Sequence, residues 1–392
     1  MEIIFICLLF FFLILTFQKK YNSLGCTLLL LLLLVLIILN PSISIKSAKD
    51  GINLWLFIVI PSLLPFFIIN DMLSSLKVPE NIGILFSPLA RRLFKTSGYG
   101  AYAFIMSVFA GYPSGARIVA TLYEEGKITK NEGEKILTFS STSGPLFIIG
   151  AVGSGMLQNQ IAGYILFISH ILGAITNGVF SNLFYKRPPK NITLSKFGLN
   201  KINEDIISKG IKSSIITCGF IGGYIVLFCV IVAMLKDIKL FEYISFAINS
   251  LGVLPPSLSS NIVLLLESIV EVSNGSNIIS LSTATYDSKL ILLSFLIAFS
   301  GLAVVGQVSS ILSKHSFNMR KYILFKISHG IFSSITCYII LKLNIIPAEV
   351  FVSSPIITPI FILPLILILL IMILIFNSLG YIIKKIKHDS FI

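Results

Sequence analysis

The chain has 392 residues, of which 55% are hydrophobic and only 12% are charged. Soluble domains contain about twice that charged share, roughly 25%. The mean hydropathy is +0.95, and the apolar residues are concentrated in long runs. These values exclude a soluble enzyme, a disordered protein and a nucleic-acid-binding domain. We therefore predict an all-α polytopic membrane protein whose partner is the lipid bilayer and not a nucleic acid.

The formal net charge is +13, from 30 Lys and Arg against 17 Asp and Glu. Basic residues lie between the apolar runs, which is typical of loops held in the cytoplasm during insertion; phosphate binding is the alternative. The five cysteines all lie in apolar segments without CxxC spacing, and the four histidines are scattered. We therefore predict no metal site and no cofactor. For His170 and His329, which lie in or near spans, a packing role is favoured over a proton relay.

The apolar runs predict nine full membrane crossings. In chain order these are residues 3–17, 24–39, 52–72, one of the two segments 99–122 and 136–157, then 160–184, 212–235, 290–312, 323–346 and 356–383. The other of those two segments is predicted to be re-entrant, and so is 258–287. Only then do all strongly basic loops lie in the cytoplasm, with the N-terminus outside and the C-terminus inside.

The spans also suggest a duplicated plan with two inverted repeats. The predicted division comprises N-terminal spans at 1–50, a first repeat at 51–185, a basic cytoplasmic loop at 186–211, a second repeat at 212–345, and a C-terminal span with a basic tail at 346–392. Paired interrupted segments in corresponding positions of two halves are the best sequence indication of a transporter binding site.

Four interruptions by Gly, Ser, Pro and Asn support this interpretation. They are Gly111-Tyr112-Pro113-Ser114-Gly115, Ser143-Gly144-Pro145, the segment from Glu271 to Ser276, and a related break at Ser300-Gly301. Irregular backbone at membrane depth is tolerated only where it lines a cavity or is buried in protein. The alternatives are a plain kinked helix and close helix packing through the small residues Gly150, Gly153 and Gly155.

A half-helix that begins inside the membrane presents free N–H groups and a positive dipole end, which favour an anion. Ser143 is a candidate N-cap, with Pro145 near the first helical position. We expect Pro113 and Ser114 to play related parts in their own segment. Arg117, one turn beyond Ser114, would reinforce the preference for an anion.

Polar side chains at membrane depth are expensive and therefore candidates for function. Glu267 and Glu271 are spaced i, i+4, and Glu271 precedes a break. Glu271 could coordinate a cation or take part in proton coupling, whereas an interfacial carboxylate in a loop is the alternative. Ser300 and Gln307 share a helical face. Gln307 could bind a ligand or could hydrogen-bond a neighbouring helix.

These motifs carry a family resemblance. GYPSGA at 111–116, SGPLFIIG about thirty residues later, EVSNG at 271–275 and SGLAVVGQ at 300–307 together resemble the sporulation integral membrane protein family named YlbJ, also called SpoVV. That family belongs to the group that shares the gate domain of nucleoside transporters and of the ferrous-iron transporter FeoB. The resemblance covers roughly residues 50–345, so the two predicted repeats would be gate-like.

The resemblance implies an endospore-forming bacterium, a place in the membranes around the forespore, and movement of dipicolinic acid during maturation of the spore cortex and core. The implied substrate-binding residues are Gly111, Pro113, Ser114, Arg117, Ser143, Gly144, Pro145, Asn274, Ser300 and Gln307, with Glu271 for ion coupling. A dianion should not lie beside an ionised Glu271. Either Glu271 is protonated or cation-bound during transport, or it lies at a distance from the anion.

The predicted function is therefore secondary transport of a small carboxylate, without enzymatic activity. No Walker A motif, GxxxxGK[ST], is present, so this chain is not expected to hydrolyse ATP. The alternatives are transport of a nucleoside or a cation, and a membrane scaffold that assists spore assembly without transport. A homo-oligomer is compatible with the sequence.

Overall fold

The computed structural model describes residues 2–17, 21–185, 205–250 and 252–343, and these ranges contain helices and no strand. Six helices are long and apolar enough to cross a membrane, namely Asn22–Leu39, Pro41–Ser75, Gln160–Leu183, Ile206–Asp237, Tyr286–His315 and Met319–Lys342. The predicted all-α polytopic fold is confirmed. The predicted span 356–383, the basic tail and most of the basic loop at 186–211 lie outside the described residues.

The N-terminal part is a pair of packed helices, α1 (Glu2–Phe17) and α2 (Asn22–Leu39). A continuous helical rod follows, from α3 (Pro41–Leu54) through a π-helical turn at Trp55–Val59 into α4 (Ile60–Ser75). The helix that contains the predicted span 52–72 therefore begins at Pro41. Proline is favoured at a first helical position, so the charged stretch after it is the first part of the helix and not a loop.

Two short helices, α5 (Val78–Leu85) and α6 (Ser87–Leu93), precede a helical hairpin. This hairpin, called hairpin 1, consists of α7 (Gly98–Ala110) and α8 (Ser114–Glu124), with its tip at 111–113. Helices of 13 and 11 residues reach about 20 Å and 17 Å, short of the roughly 30 Å hydrocarbon core. Segment 99–122 is thus a hairpin of two short helices, and that it is the re-entrant segment of the two stays a prediction.

An interrupted helix follows hairpin 1. It consists of α9 (Lys130–Leu137), a non-helical stretch at 138–144 that we call break 1, and a π-helical segment at Leu146–Met156. The long helix α10 (Gln160–Phe180) then crosses the protein.

The second half repeats this order of elements. The long helix α11 (Ile206–Asp237) and the short α12 (Leu240–Ser250) precede hairpin 2, formed by α13 (Pro256–Ser268) and α14 (Val272–Leu281) with its tip at 269–271. The interrupted helix α15 (Tyr286–Phe299) and α16 (Gly301–Leu312) and the long helix α17 (Met319–Lys342) complete the described chain. The shared order agrees with two repeats; that they are inverted stays a prediction, and so do their boundaries.

The two long helices that end the halves pack against each other at the centre. Gly173 of α10 lies directly against the backbone of Ser333 in α17, where a Cβ atom would be 2.9 Å from the Ser333 nitrogen. This close approach brings polar residues of both helices into the interior, among them His170, Asn177 and Lys326, all at most 1% exposed. α10 and α17 therefore supply a polar wall beside break 1.

Candidate functional site

The tip of hairpin 1 lies directly against break 1. Gly111 adopts a φ of 70°, which favours glycine, and a Cβ atom on it would be 3.1 Å from the backbone nitrogen of Gly144. At the start of α8, a Cβ atom on Gly115 would overlap the carbonyl oxygen of Ser140. The structure thus brings together the first two interruptions predicted from the sequence, because glycines allow their backbones to touch.

Break 1 is hydrogen-bonded by side chains of α10 and α17. The Asn177 side-chain amide donates to the carbonyl oxygen of Thr138 at 2.6 Å and to that of Phe325 at 2.8 Å. Its own oxygen accepts a hydrogen bond from the Ser328 hydroxyl at 2.6 Å. A backbone carbonyl left unpaired in hydrocarbon costs several kcal/mol. The hydrogen bonds from Asn177 offset this cost and stabilise the interruption within the membrane.

Lys326 is a buried lysine that contacts break 1. The residue is only 1% exposed, and its Nζ donates to the carbonyl oxygen of Ser141 at 2.7 Å. One turn earlier on α17, the Tyr322 hydroxyl pairs with the Ser141 hydroxyl at 2.8 Å. Lys326 Nζ also lies 5.9 Å from the ring centre of Tyr112, at the tip of hairpin 1. Within the described ranges, no carboxylate forms an ion pair with Lys326.

The two histidines are packed beside break 1. His170 Nε2 accepts the backbone N–H of Ser143 at 2.9 Å, so in the neutral ring the hydrogen is on Nδ1. His329 Nε2 lies 3.1 Å from the His170 carbonyl oxygen, and the ring centres are 4.9 Å apart. His170 is therefore a backbone acceptor for the interruption.

The second interrupted helix is built differently. Ser300 alone separates α15 from α16 and adopts the left-handed conformation, with a φ of 78°; we call it break 2. The backbone N–H of Leu302 donates to the Ile269 carbonyl at 2.9 Å. That of Ala303 donates to the Val270 carbonyl at 3.0 Å. The tip of hairpin 2 is thus bound to the start of α16 through backbone groups.

The third predicted break is displaced in the structure. The chain is interrupted at 269–271, and Asn274 lies within α14. Glu271 is the N-cap: its Oε2 accepts the Asn274 backbone N–H at 2.7 Å, and the residue is 5% exposed. The Asn-Gly pair suggested a break, but the carboxylate three residues before Asn274 satisfies a free N–H and starts the helix there.

The predicted N-cap role of Ser143 is wrong. No side chain caps the start of the segment Leu146–Met156, and the Ser143 backbone donates to His170 instead. Pro145 has helical dihedral angles, φ −61° and ψ −36°, as expected for a proline at a helix start. Pro113 immediately precedes α8, and this helix start also lacks a side-chain cap.

The predicted binding residues differ in exposure. Buried residues are Gly111, Ser143, Gly144 and Ser300, and partly exposed ones are Pro113, Ser114, Pro145, Asn274 and Gln307. Arg117 is exposed on the face of α8 that points away from the buried residues of this helix. Glu267 is ion-paired with Lys236 of α11, which gives it a structural partner. Substrate contact by any of these residues stays a prediction.

The sequence prediction missed Asn177, Tyr322 and Lys326. The available signal was a lysine inside the predicted span 323–346, because a charge at that depth needs a partner or a function. Its partner, Ser141, is 185 residues away in the chain, and no local pattern indicates it.

Two helical hairpins whose tips meet two interrupted helices define a transporter-like membrane fold. Solved structures share it: CNTnw in its intermediate 3 state has a TM-score of 0.51 with 11% identity, covering 90% of this chain and 92% of that one. CNTnw in an outward-facing state also has a TM-score of 0.51, with 12% identity, covering 87% and 90%. At such identities the likeness shows the fold alone, that of a concentrative nucleoside transporter.

A curated relative is the sporulation integral membrane protein YlbJ of Bacillus subtilis (strain 168). It is 28% identical over 345 residues, which are 83% of this chain and 84% of YlbJ. The resemblance seen in the motifs is confirmed, and the chain is a homologue of a sporulation membrane protein with a transporter-like fold. No protein-family model matches the chain.

Proposed function

We propose that this protein is a secondary transporter that moves a small carboxylate, dipicolinic acid first, across a membrane around the forespore during spore maturation. The observation that carries the proposal is the position of Lys326, a buried cation beside uncapped helix starts in the first half. The sporulation context is supported by the relative YlbJ, and the transport mode by the shared fold.

The first half offers positive potential to a ligand. Neither α8 nor the segment Leu146–Met156 has a side-chain cap at its start. Both starts adjoin the contact between the tip of hairpin 1 and break 1. Uncapped helix starts attract anions through free N–H groups and the helix dipole. Lys326 adds a buried basic amine next to Ser141.

In the second half, N–H groups at the starts of α14 and α16 already have hydrogen-bond partners. The Glu271 carboxylate caps α14, and carbonyl groups of hairpin 2 accept the N–H groups of Leu302 and Ala303 at the start of α16. An anion therefore gains more at the helix starts beside break 1. Because Glu271 is close enough to act electrostatically on Tyr112, we propose that Glu271 is protonated or cation-bound during transport.

A solved protein with this fold is known in outward-facing and intermediate states, and we propose alternating access for this chain as well. In our proposal the N-terminus lies outside and the C-terminus in the cytoplasm, and the chain itself catalyses no reaction.

The test is uptake into liposomes that contain the purified full chain. We expect labelled dipicolinate to accumulate above the level in empty liposomes, and labelled uridine not to accumulate. A matched control is Gly219→Ala on α11, where a Cβ atom would meet nothing within 4 Å; it should transport like the original protein. Uptake of uridine alone would establish a nucleoside transporter, and folded protein that moves neither compound would indicate a scaffold.

A further inference from the structure

We propose that Lys326 binds a carboxylate group of the transported anion directly, an inference that rests on the proposed function. The first reason is the cost of the charge. An ammonium group kept away from water needs a counter-charge or a function. Lys326 is 1% exposed, and within the part of the chain that the structure describes it has no ion-pair partner.

The second reason is that hydrogen bonding of break 1 does not require a charge. The neutral Asn177 performs that task for the Thr138 carbonyl, just as Lys326 does for the Ser141 carbonyl. A glutamine or asparagine would serve Ser141 without the cost of burying a cation. An ammonium has three donors, and the Ser141 carbonyl accepts only one of them. The remaining two point to an acceptor that binds during transport.

The third reason is the surrounding chemistry. Lys326 Nζ faces Tyr112 of hairpin 1, whose hydroxyl is buried near Ser143 without a hydrogen bond of ordinary geometry. The Ser140 hydroxyl in break 1 is also buried without a partner among the described residues. Lys326 together with these buried hydroxyls of hairpin 1 and break 1 suits the oxygens of a carboxylate, and the Tyr112 ring suits a flat aromatic anion. The geometry therefore fits an aromatic carboxylate better than a neutral nucleoside.

The experiment compares two ligands that have nearly the same shape and differ in charge. Uptake of dipicolinate, which has two carboxylates, is measured in liposomes. The neutral compound pyridine-2,6-dicarboxamide is added as a competitor, and its ability to inhibit this uptake is compared with that of unlabelled dipicolinate. We expect the full chain to prefer the dianion. Lys326→Gln should raise the half-saturation concentration for dipicolinate about tenfold to a hundredfold and abolish that preference. Lys326→Arg should keep the preference for the dianion. The control for a purely structural role is Asn182→Ala, which removes a part-buried amide that donates to the Leu93 carbonyl and should lower thermal stability while keeping the preference.

A covalent probe makes the test independent of the folding of any variant. Dipicolinate activated as an ester at one carboxylate should acylate the Lys326 amine, forming an amide and releasing the alcohol, and excess dipicolinate should prevent this. Peptide mass spectrometry locates the label. Labelling elsewhere only, or a Lys326→Gln protein that still prefers the dianion, overturns the inference while leaving transport intact. If the full chain takes up no dipicolinate, the proposed function itself fails.

Discussion

The two interrupted helices occupy corresponding places in the two halves but satisfy their backbone groups in different ways. Break 1 leaves residues 138–144 out of the helix and relies on side chains from α10 and α17, such as Asn177. Break 2 is the single residue Ser300, and backbone groups of hairpin 2 bind the helix start that follows it. One architecture thus meets the same requirement of the bilayer by two solutions.

The difference has a chemical consequence. A break satisfied by backbone uses the N–H groups of the following helix start, so little hydrogen-bonding capacity remains for a ligand. A break satisfied by side chains leaves the helix starts uncapped and introduces polar groups that a ligand can share. This comparison explains why the cation Lys326 lies beside break 1 and the carboxylate Glu271 belongs to hairpin 2.

The largest expected effect is at Gly115, where hairpin 1 meets break 1. Gly115→Ala places a methyl group on the Ser140 carbonyl oxygen, and backbone must move because no flexible side chain can yield. We expect a loss of at least about 3 kcal/mol of stability, as in severe overpacking, and little monodisperse protein in size-exclusion chromatography. Gly223→Ala on α11, with open space around its Cβ position, is the control. Equal yields of both variants would contradict the close contact.

The next effect concerns the side chains that satisfy break 1. Asn177→Ala removes the donor to the Thr138 and Phe325 carbonyls, and we expect about 2 kcal/mol of destabilisation, since buried acceptors lose their partner. Thermal unfolding in detergent measures it. Asn249→Ala on α12, where the exposed amide makes only a 3.5 Å contact with Ser245, should change the melting temperature little. A similar loss of stability in both variants would show that the hydrogen bonds to break 1 contribute no more than an exposed contact.

Much of this architecture was predictable from local chemistry. Glycine, proline and serine at 111–115 and 300–301 predicted interruptions there, because these residues tolerate turns that others resist. The positions of these interruptions along the chain also limit how long the adjoining helices can be. What the sequence did not show is which group satisfies each interruption. Asn177 and Lys326 reach break 1 from 39 and 185 residues away, and only the packing of α10 on α17 brings them there.

Residue-level misjudgements have a similar origin. Ser143 has the chemistry of an N-cap, yet the segment Leu146–Met156 begins after it without a side-chain cap. Asn274-Gly275 looks like a helix breaker, yet the Glu271 carboxylate caps a helix that includes both residues. Local propensity is therefore a weak guide to where a helix starts and which side chain caps it.

A smaller effect sharpens the contrast between capped and uncapped helix starts. Glu271→Ala removes the cap of α14, and we expect a loss of about 1 kcal/mol, whereas Glu271→Gln keeps an amide oxygen as acceptor and should lose less. Ser143→Ala, on the first half's uncapped start, should be close to neutral. Thermal unfolding compares all three, with Thr129→Ala at the capped start of α9 as a reference for cap loss. A stable Glu271→Ala protein would show that the capping bond contributes nothing.

The smallest expected effect is a change in stability on substitution to glycine, and its sign should differ between the two breaks. Ser300 has a left-handed φ of 78°, which glycine adopts without the steric cost that serine bears, so Ser300→Gly should stabilise by up to about 1 kcal/mol. Loss of the hydroxyl bond to the Phe299 carbonyl reduces this gain. Ser143 in break 1 is not among the left-handed residues, so Ser143→Gly should destabilise by roughly 0.5–1 kcal/mol through the greater freedom of the unfolded chain. Opposite shifts of the melting temperature in one detergent would support two differently built breaks. Shifts of the same sign would mean that backbone conformation does not distinguish them.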